Sequence, residues 1–321
     1  MRAVLVSEFG GPDQLRLGQA ADPVAGPGQA RIVVHAAGVN PVDAGNRADG
    51  HWAGLRVPCV LGYDVAGVID SVGEGVDGLA PGDRVMAMTH FPDGAGGYAE
   101  LAVVDADLAA PISAAVSFAD AAATPLAAGT ALMVLSRLGL PAASRLLVLG
   151  ASGGVGLFLL QQAAAAGVVA IGVGRQAMHA QMTALGAAGC IDYTRDDVAA
   201  RAQVLAGGPV DAIADLVGGT LAAAASGSTW LTTGRSACRS SSAASARVRS
   251  PSSPMSTPWK VMLASSNGSR SSSGVAIAAI CPPGRSAGRA AAASVPPTKS
   301  AMASTGPPAS TWARAATSSR V

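Results

Sequence analysis

The last third of the chain lacks carboxylates. All 20 Asp and Glu lie between Glu8 and Asp215, so residues 216–321 carry none. Residues 1–219 hold 11 Arg and no Lys, a net charge of −9 (11 − 20), whereas residues 220–321 hold 9 Arg and 2 Lys, a net charge of +11. Ser increases from 7 residues in the first part to 24 in the second. The formal net charge of +2 therefore combines two unlike parts of the chain.

Cysteine and aromatic residues are scarce. The chain has four widely spaced cysteines and no Cys-x-x-Cys pair: Cys59, Cys190, Cys238 and Cys281. This spacing excludes a zinc knuckle, gives no convincing disulfide framework, and fits a reducing cytoplasm. Aromatic residues make up 3% of the chain, and its first 219 residues are rich in Ala, Val, Leu and Gly. Such an aliphatic composition is typical of α/β proteins, in which parallel strands are buried on both faces.

Long continuous hydrophobic runs are also missing. The apolar run before Glu8 is shorter than the roughly 7–15 residues of a secretory signal. Residues 146–174 carry no charge, but four glycines divide them into strand, turn, helix and strand. A membrane helix usually needs about 20 continuous apolar residues. We therefore expect neither a secretory signal nor a membrane span, and we predict a cytoplasmic protein.

Residues 1–118 contain short apolar segments separated by Gly and Pro turns. These segments have strand composition and comprise residues 3–8, 30–39, 64–73, 83–88 and 98–104. Turn sequences such as FGGPD, AGPGQ and APGD separate them. The pattern predicts a compact and mostly antiparallel β domain.

A glycine-rich turn follows the buried strand RLLVLG and precedes a helix that ends in QQAAAAG. Its glycines have the spacing G-x-x-G-x-x-G, which lets a strand turn sharply and a backbone approach a pyrophosphate. The N-terminus of the following helix offers free N–H groups to phosphates. An ordinary turn is the alternative, but the position between strand and helix favours a dinucleotide site. The predicted cofactor-binding residues are Gly150, Ala151, Ser152, Gly153, Gly154, Val155 and Gly156.

The next strand, residues 168–174, ends at Gly174 and Arg175. A site for NAD usually has an acidic residue here, about 20 residues after the glycine motif, to bind the ribose 2′-hydroxyl. A guanidinium instead suits a 2′-phosphate, because it forms forked hydrogen bonds. The sequence therefore predicts NADPH rather than NADH, with Gly174 and Arg175 in the cofactor site. The alternative is a solvated Arg at a strand end.

Three segments, in order, resemble the GroES-like domain of the medium-chain dehydrogenases/reductases: HAAGVNPVDAGNR, VPCVLGYDVAGVIDSVGEGVDGLAPGDRV and GGYAELAVV. Within this superfamily they resemble the zinc-free quinone oxidoreductase, or zeta-crystallin-like, branch, and the resemblance covers residues 1 to about 220. It implies an α/β fold with a GroES-like catalytic domain over residues 1–118. A Rossmann NADP-binding domain with a doubly wound parallel sheet would occupy residues 119–220. The implied activity is hydride transfer from NADPH to a quinone or an α,β-unsaturated carbonyl, and the implied assembly is a homodimer.

The chain departs from the zinc-dependent branch of that superfamily. A catalytic zinc needs three protein ligands, and that branch has a Cys and a Gly-His-Glu where this chain has Asn40 and Gly62-Tyr63-Asp64. The four histidines also lack ligand spacing, so we predict no zinc. The resemblance implies that Asn40 and Tyr63 are catalytic and line the nicotinamide and substrate pocket. Alternatively, Asn40 is a turn residue and Tyr63 a packed aromatic, and we expect Asp43 to cap a helix.

The resemblance extends to three further cofactor contacts, Thr130, Tyr193 and Gly218. For Thr130 the alternative is a residue in a helix interior. Enoyl-thioester reductases of the superfamily carry a Tyr proton donor after the Gly that matches Gly50, whereas this chain has His51. Enoyl-thioester reduction is therefore an alternative activity, and an inactive truncated product with residual cofactor binding is another.

The resemblance to the family stops near residue 220. Residues 221–321 are basic and of low complexity, and only 259–265 and 273–281 have strand composition. We expect this tail to be disordered, because such a composition buries too little apolar surface to offset the entropy of ordering. The Rossmann sheet, ordered 3-2-1-4-5-6, would then be incomplete, with the fourth strand a bare edge. The expected consequences are low stability and solubility and a doubtful dimer interface.

Three hypotheses explain the tail. A frame shift in a GC-rich gene would yield its Ala, Arg, Ser, Pro and Gly. A true basic tail would attract nucleic acid or an anionic membrane, but the segment has neither basic clusters nor an aromatic stacking pattern, so neither partner is expected. A divergent folded C-terminus is the third hypothesis.

Overall fold

A computed structural model describes residues 1–92, 96–218, 260–264 and 276–281. The elements up to residue 122 are β1 (Arg2–Val6), β2 (Leu15–Gln19), β3 (Gln29–Ala37), α1 (Pro41–Ala48), β4 (Cys59–Val60), β5 (Asp64–Val72), β6 (Arg84–Met88), β7 (Leu101–Asp105), β8 (Ala109–Pro111) and α2 (Phe118–Ala122). The following elements are α3 (Pro125–Leu138), β9 (Arg145–Leu149), α4 (Gly154–Ala165), β10 (Val169–Val173), α5 (His179–Ala184), β11 (Gly189–Ile191), α6 (Val198–Ala206), β12 (Ala212–Asp215), β13 (Lys260–Ala264) and β14 (Ala276–Cys281).

The first part of the chain forms two antiparallel sheets. One has the strand order β2-β1-β4 and the other β7-β3-β5-β6-β8. Residues that alternate along these strands, such as Ile32, Val65 and Val85, form the core of the larger sheet. Glycine is needed at position 67, where β5 pairs with β3, because a Cβ there would lie 2.0 Å from the Val33 carbonyl oxygen. The prediction of a mostly antiparallel β domain is confirmed.

The second part forms one six-stranded sheet in the order β11-β10-β9-β12-β14-β13. All pairs are parallel except β13 with β14. Leu146 and Val148 of β9 face one helical layer, and Leu147 and Leu149 face the other. All four are buried, as in a parallel sheet covered on both faces. The predicted α/β fold, an antiparallel β part followed by a parallel sheet covered by helices on both faces, is confirmed.

The prediction of a bare edge at the fourth strand is wrong. β14 pairs with β12 from Ala212↔Ala276 to Asp215↔Ala279, and β13 then pairs with β14. β12 thus gains backbone hydrogen-bond partners along its open side, which an exposed strand would lack. Both added strands lie within the two tail segments that have strand composition. The strand order also differs from 3-2-1-4-5-6. β14 comes after β13 in the chain, yet in the sheet it lies between β12 and β13.

The domain limits 1–118, 119–220 and 221–321 stay a prediction. The antiparallel sheets end with β8 at Pro111 and the parallel sheet starts with β9 at Arg145. Apart from β13 and β14, the predicted disorder or frame shift in the tail concerns residues outside the described ones.

Candidate active site

The glycine-rich loop between β9 and α4 turns sharply and packs closely against the start of α4. Gly150 has φ +77°, a conformation that favours glycine. A Cβ on Gly156 would lie 2.5 Å from the Gly150 carbonyl oxygen and 2.6 Å from the Ala151 Cα. The first helical bond of α4 runs from the Leu157 N–H to the Gly153 carbonyl, 2.9 Å. The N–H groups of residues 154–156 precede that bond and have no partner within the helix. The loop therefore fits a pyrophosphate.

The structure brings this loop together with the end of β10. The Ala151 N–H donates to the Val173 carbonyl over 3.0 Å. A Cβ on Gly174 would lie 3.1 Å from Ser152 Oγ. The carboxyl ends of β9 and β10 thus meet at one edge of the sheet, where α/β proteins bind dinucleotides.

Arg175 and Tyr193 are brought together beyond that edge. Arg175 Nε donates to the Tyr193 hydroxyl over 3.1 Å. Both side chains are exposed, and the hydrogen bond to Tyr193 raises the pKa of Arg175 further above its usual value. An always-charged guanidinium next to an exposed aromatic ring suits a phosphate that adjoins a nucleoside.

A second arginine, Arg195, lies on the loop after β11 that also carries Tyr193, and it was not predicted. Arg195 Nη1 donates to Gln176 Oε1 over 2.7 Å, and the Gln176 N–H donates to Asp192 Oδ2 over 3.2 Å. Asp192 is buried, and hydrogen bonds from Thr194 lower its pKa. The sequence signal was available, because Arg195 follows Tyr193 by two residues, but a lone Arg in a turn is not diagnostic.

Asn40 lies at the start of α1. Its backbone N–H donates to Asp43 Oδ2 over 2.7 Å, so the predicted capping role of Asp43 is confirmed. Its side-chain Nδ2 donates to Asp64 Oδ2 over 2.8 Å. Asn40 as a residue is half-buried, and its contact with Asp64 uses one of the two N–H groups of the amide.

Tyr63 is fully buried. Its hydroxyl accepts from Asn46 Nδ2 over 2.6 Å and donates to the Pro92 carbonyl over 2.5 Å. Its ring centroid lies 4.9 Å from that of Phe91. These contacts match the alternative of a packed aromatic, and the catalytic role of Tyr63 stays a prediction.

Asp64 is a buried carboxylate that sequence analysis did not assign. Its Oδ1 accepts from the Leu126 N–H at the start of α3, over 2.9 Å. Burial raises the pKa of Asp64 to about 6, while the hydrogen bonds from Asn40 and Leu126 oppose the increase. Asp43 is also buried and accepts from the Tyr98 hydroxyl over 2.9 Å. Burial raises the pKa of Asp43, and burial together with the Asp43 charge raises that of Tyr98.

The remaining predicted contacts occupy two other elements. Thr130 is half-buried in α3, and its helix borders the glycine loop, because a Cβ on Gly154 would lie 3.7 Å from the Ala127 Cβ. Gly218 has φ +74°, and its N–H donates to Asp215 Oδ1 over 2.8 Å. Their contacts with a cofactor stay predictions, as do those of the other proposed site residues.

Among the described residues, no three His, Cys, Asp or Glu side chains are grouped so that they could hold a metal ion. In the same part of the chain, every helix is too short or too polar to cross a membrane.

The chain resembles known proteins over both parts. The alcohol dehydrogenase GroES-like domain family matches residues 26–114. The solved quinone oxidoreductase of Coxiella burnetii is 34% identical, with a TM-score of 0.62, and the match covers 69% of this chain and 70% of that chain. This chain belongs to the quinone oxidoreductase branch of the medium-chain dehydrogenases/reductases.

Two further relatives of this branch support the assignment. Escherichia coli quinone oxidoreductase, solved in complex with NADPH, is 29% identical with a TM-score of 0.61, over 68% of this chain and 67% of that chain. The mouse quinone oxidoreductase is 40% identical over 136 residues, which are 42% of this chain and 40% of the relative. The sequence match thus spans about two fifths of the length of that curated relative.

Proposed function

We propose that this chain is an NADPH-dependent oxidoreductase that reduces a quinone or an α,β-unsaturated carbonyl without zinc. The observation that carries the proposal is the Arg175–Tyr193 pair next to the glycine loop, at the carboxyl ends of β9 and β10. Relatives named quinone oxidoreductases, one of them solved with NADPH, support it.

The chain's own residues have distinct roles in this proposal. The loop Gly150–Gly156 would hold the pyrophosphate with backbone N–H groups, and Arg175 would hold the 2′-phosphate. Bound NADPH would supply a hydride, so that a quinone takes up two electrons and, with one proton from solvent, becomes a hydroquinone. The second amide N–H of Asn40 would donate to the substrate oxygen on which negative charge develops. Tyr63 would support this site from the core, through Asn46 and Pro92.

The two alternatives, enoyl-thioester reduction and an inactive product, have less support from the structure. His51, which follows Gly50 where enoyl-thioester reductases have their Tyr, is exposed and pairs with Asp49 Oδ1 at 2.7 Å. The inactive-product alternative is separated from the enzyme by experiment. The cytoplasmic location and the homodimer stay predictions from the sequence.

The proposed function predicts saturable NADPH binding followed by turnover. Titration of the full chain, monitored by nicotinamide fluorescence, measures the dissociation constant. Oxidation of NADPH at 340 nm with 1,4-benzoquinone then measures turnover. Binding with turnover supports the enzyme, whereas binding without turnover identifies the inactive product. Absence of binding contradicts the proposal altogether.

Replacing Arg175 by Ala is expected to weaken NADPH binding about 10- to 100-fold, because a hydrogen bond to a charged group contributes about 1.5–3 kcal/mol. NADH binding should change less than threefold, since NADH lacks the 2′-phosphate. Fluorescence titration with both cofactors checks this, with Arg201→Ala, at an exposed position of α6, as the matched control. Equal losses for NADPH and NADH would show that Arg175 does not contact the 2′-phosphate.

A further inference from the structure

Asp64 connects the substrate side of the site with the helix that borders the cofactor loop. Its Oδ2 accepts from Asn40 Nδ2 over 2.8 Å, and its Oδ1 accepts from the Leu126 N–H over 2.9 Å. Leu126 lies in the first turn of α3. The residue after it, Ala127, faces Gly154. One buried carboxylate therefore contacts the amide proposed to meet the substrate and the helix beside the glycine loop.

The backbone around Asp64 is built for this contact. The Gly38 N–H donates to the Asp64 carbonyl over 2.9 Å. A Cβ on Gly38 would lie 2.4 Å from the Ala122 carbonyl oxygen and 2.8 Å from the Asp64 Cβ. The segment that leads to Asn40 can approach Asp64 this closely only because residue 38 has no side chain.

The chemistry of the contact determines how the Asn40 amide is oriented. An ionised carboxylate has only acceptors, so it holds the amide nitrogen and leaves the second N–H and Oδ1 for other partners. A protonated Asp64 could instead donate to Asn40 Oδ1. The Asn40 amide group could then rotate by half a turn, which would exchange the positions of its oxygen and its nitrogen. Asp43 cannot substitute, because it accepts from the Asn40 backbone and from Tyr98 rather than from the amide.

We propose that Asp64 is a positioning residue that fixes the orientation of the Asn40 amide toward the substrate and couples it to α3. The inference rests on the proposed function, since it assigns a partner to the amide of that same site. Asp64 acts through Asn40 and contacts neither substrate nor cofactor.

The proposal predicts an acid limb in the activity profile. Burial raises the pKa of Asp64 to about 6, so its carboxylate is ionised above that pH and protonated below it. The titratable groups that face it are Asp43 of α1 and Tyr98, and the first turn of α3 has no acidic residue. We expect kcat/KM for 1,4-benzoquinone to fall as the pH decreases through about 6.

A double-mutant cycle tests whether Asp64 acts through Asn40. The variants are Asn40→Ala, Asp64→Asn and their combination, assayed with NADPH and 1,4-benzoquinone from pH 5 to 8. Asp64→Asn keeps an acceptor for Leu126 but no longer has only acceptors, so kcat/KM at pH 7.5 should fall about 10- to 100-fold, as for a misplaced catalytic contact. The kcat/KM of the double variant should lie within about threefold of that of the less active single variant. The acid limb should be absent from the pH profiles of all three variants. The dissociation constant for NADPH should change less than threefold.

Asp70→Asn is the matched control, because Asp70 lies on the same strand β5 but away from Asn40, paired with Arg31. It should keep both the rate and the acid limb. Losses that multiply in the double variant, or an acid limb that persists in Asp64→Asn, would overturn the positioning role while leaving the proposed function intact. If circular dichroism shows that Asp64→Asn does not fold, the pH profiles of the unchanged chain and of Asn40→Ala are compared instead. An acid limb that is retained in Asn40→Ala also overturns the positioning role of Asp64. No turnover in the unchanged chain overturns the proposed function, and the positioning role with it.

Discussion

Replacing Gly156 by Ala is expected to weaken NADPH binding at least about 100-fold and to destabilise the cofactor domain by about 1–3 kcal/mol. A Cβ at this position would lie within 2.5–2.7 Å of the Gly150 carbonyl oxygen and the Ala151 backbone. Because these atoms belong to the turn itself, the methyl group must push the glycine loop away from α4. The N–H groups proposed to bind the pyrophosphate would then lose their common orientation.

Gly129→Ala provides the control for this substitution. Gly129 also lies in a helix, α3, but among the described residues no atom outside the adjoining turns of that helix lies within 4 Å of a Cβ built there. Replacing a helical Gly by Ala ordinarily stabilises by about 0.5–1 kcal/mol. The two variants should therefore change the free energy of unfolding in opposite directions. Urea denaturation and NADPH titration of both variants check the result, and a Gly156→Ala protein with unchanged affinity would refute the proposed pyrophosphate cradle.

The stability of the folded chain is expected to depend on Asp64 in the direction opposite to ordinary acid denaturation. Its pKa is raised from 3.8 to about 6 by burial. The folded state thus binds the proton more tightly than the unfolded state. The stabilisation by this proton is fully present below about pH 4 and is lost as the pH rises through about 6. A difference of about two pKa units corresponds to roughly 3 kcal/mol.

Comparison with Asp64→Asn isolates this contribution, because the other titrating groups are common to both proteins. The free energy of unfolding, measured by urea denaturation at pH 4, 5, 6 and 7, should fall for the unchanged chain relative to Asp64→Asn as the pH rises, by roughly 2–3 kcal/mol over this range. Asp70→Asn, on the same strand, should not reproduce this relative fall. A difference between the unchanged chain and Asp64→Asn that is constant with pH would show that Asp64 has the same proton affinity in the folded and unfolded chain.

Features set by neighbouring residues could be predicted from the sequence. The strand, glycine turn and helix around residues 145–165 follow from hydrophobic pattern and glycine spacing, and the capping contact of Asp43 follows from its place three residues after Asn40. The strands β13 and β14 fall in the two tail segments with strand composition. Their pairing with β12 was not predicted, because local composition indicates that a segment can form a strand and not which strand accepts its hydrogen bonds.

The candidate site divides in the same way. The glycine loop and Arg175 were recognisable because a short segment determines their chemistry. Asp64 was not, because its importance comes from contacts with Asn40, 24 residues before it, and Leu126, 62 residues after it. Nor could the sequence show that Tyr63 has its hydroxyl enclosed by Asn46 and Pro92.

The sequence by itself determined the family resemblance, the cofactor motif and the charge boundary near residue 220, since each depends on residue type and spacing. Only the tertiary structure decided how the parallel sheet continues beyond β12 and which buried carboxylate holds the Asn40 amide. Both depend on groups that are far apart along the chain and meet only in the folded protein. Burial there excludes water, so the backbone and carboxylate atoms must form their hydrogen bonds with other groups of the protein.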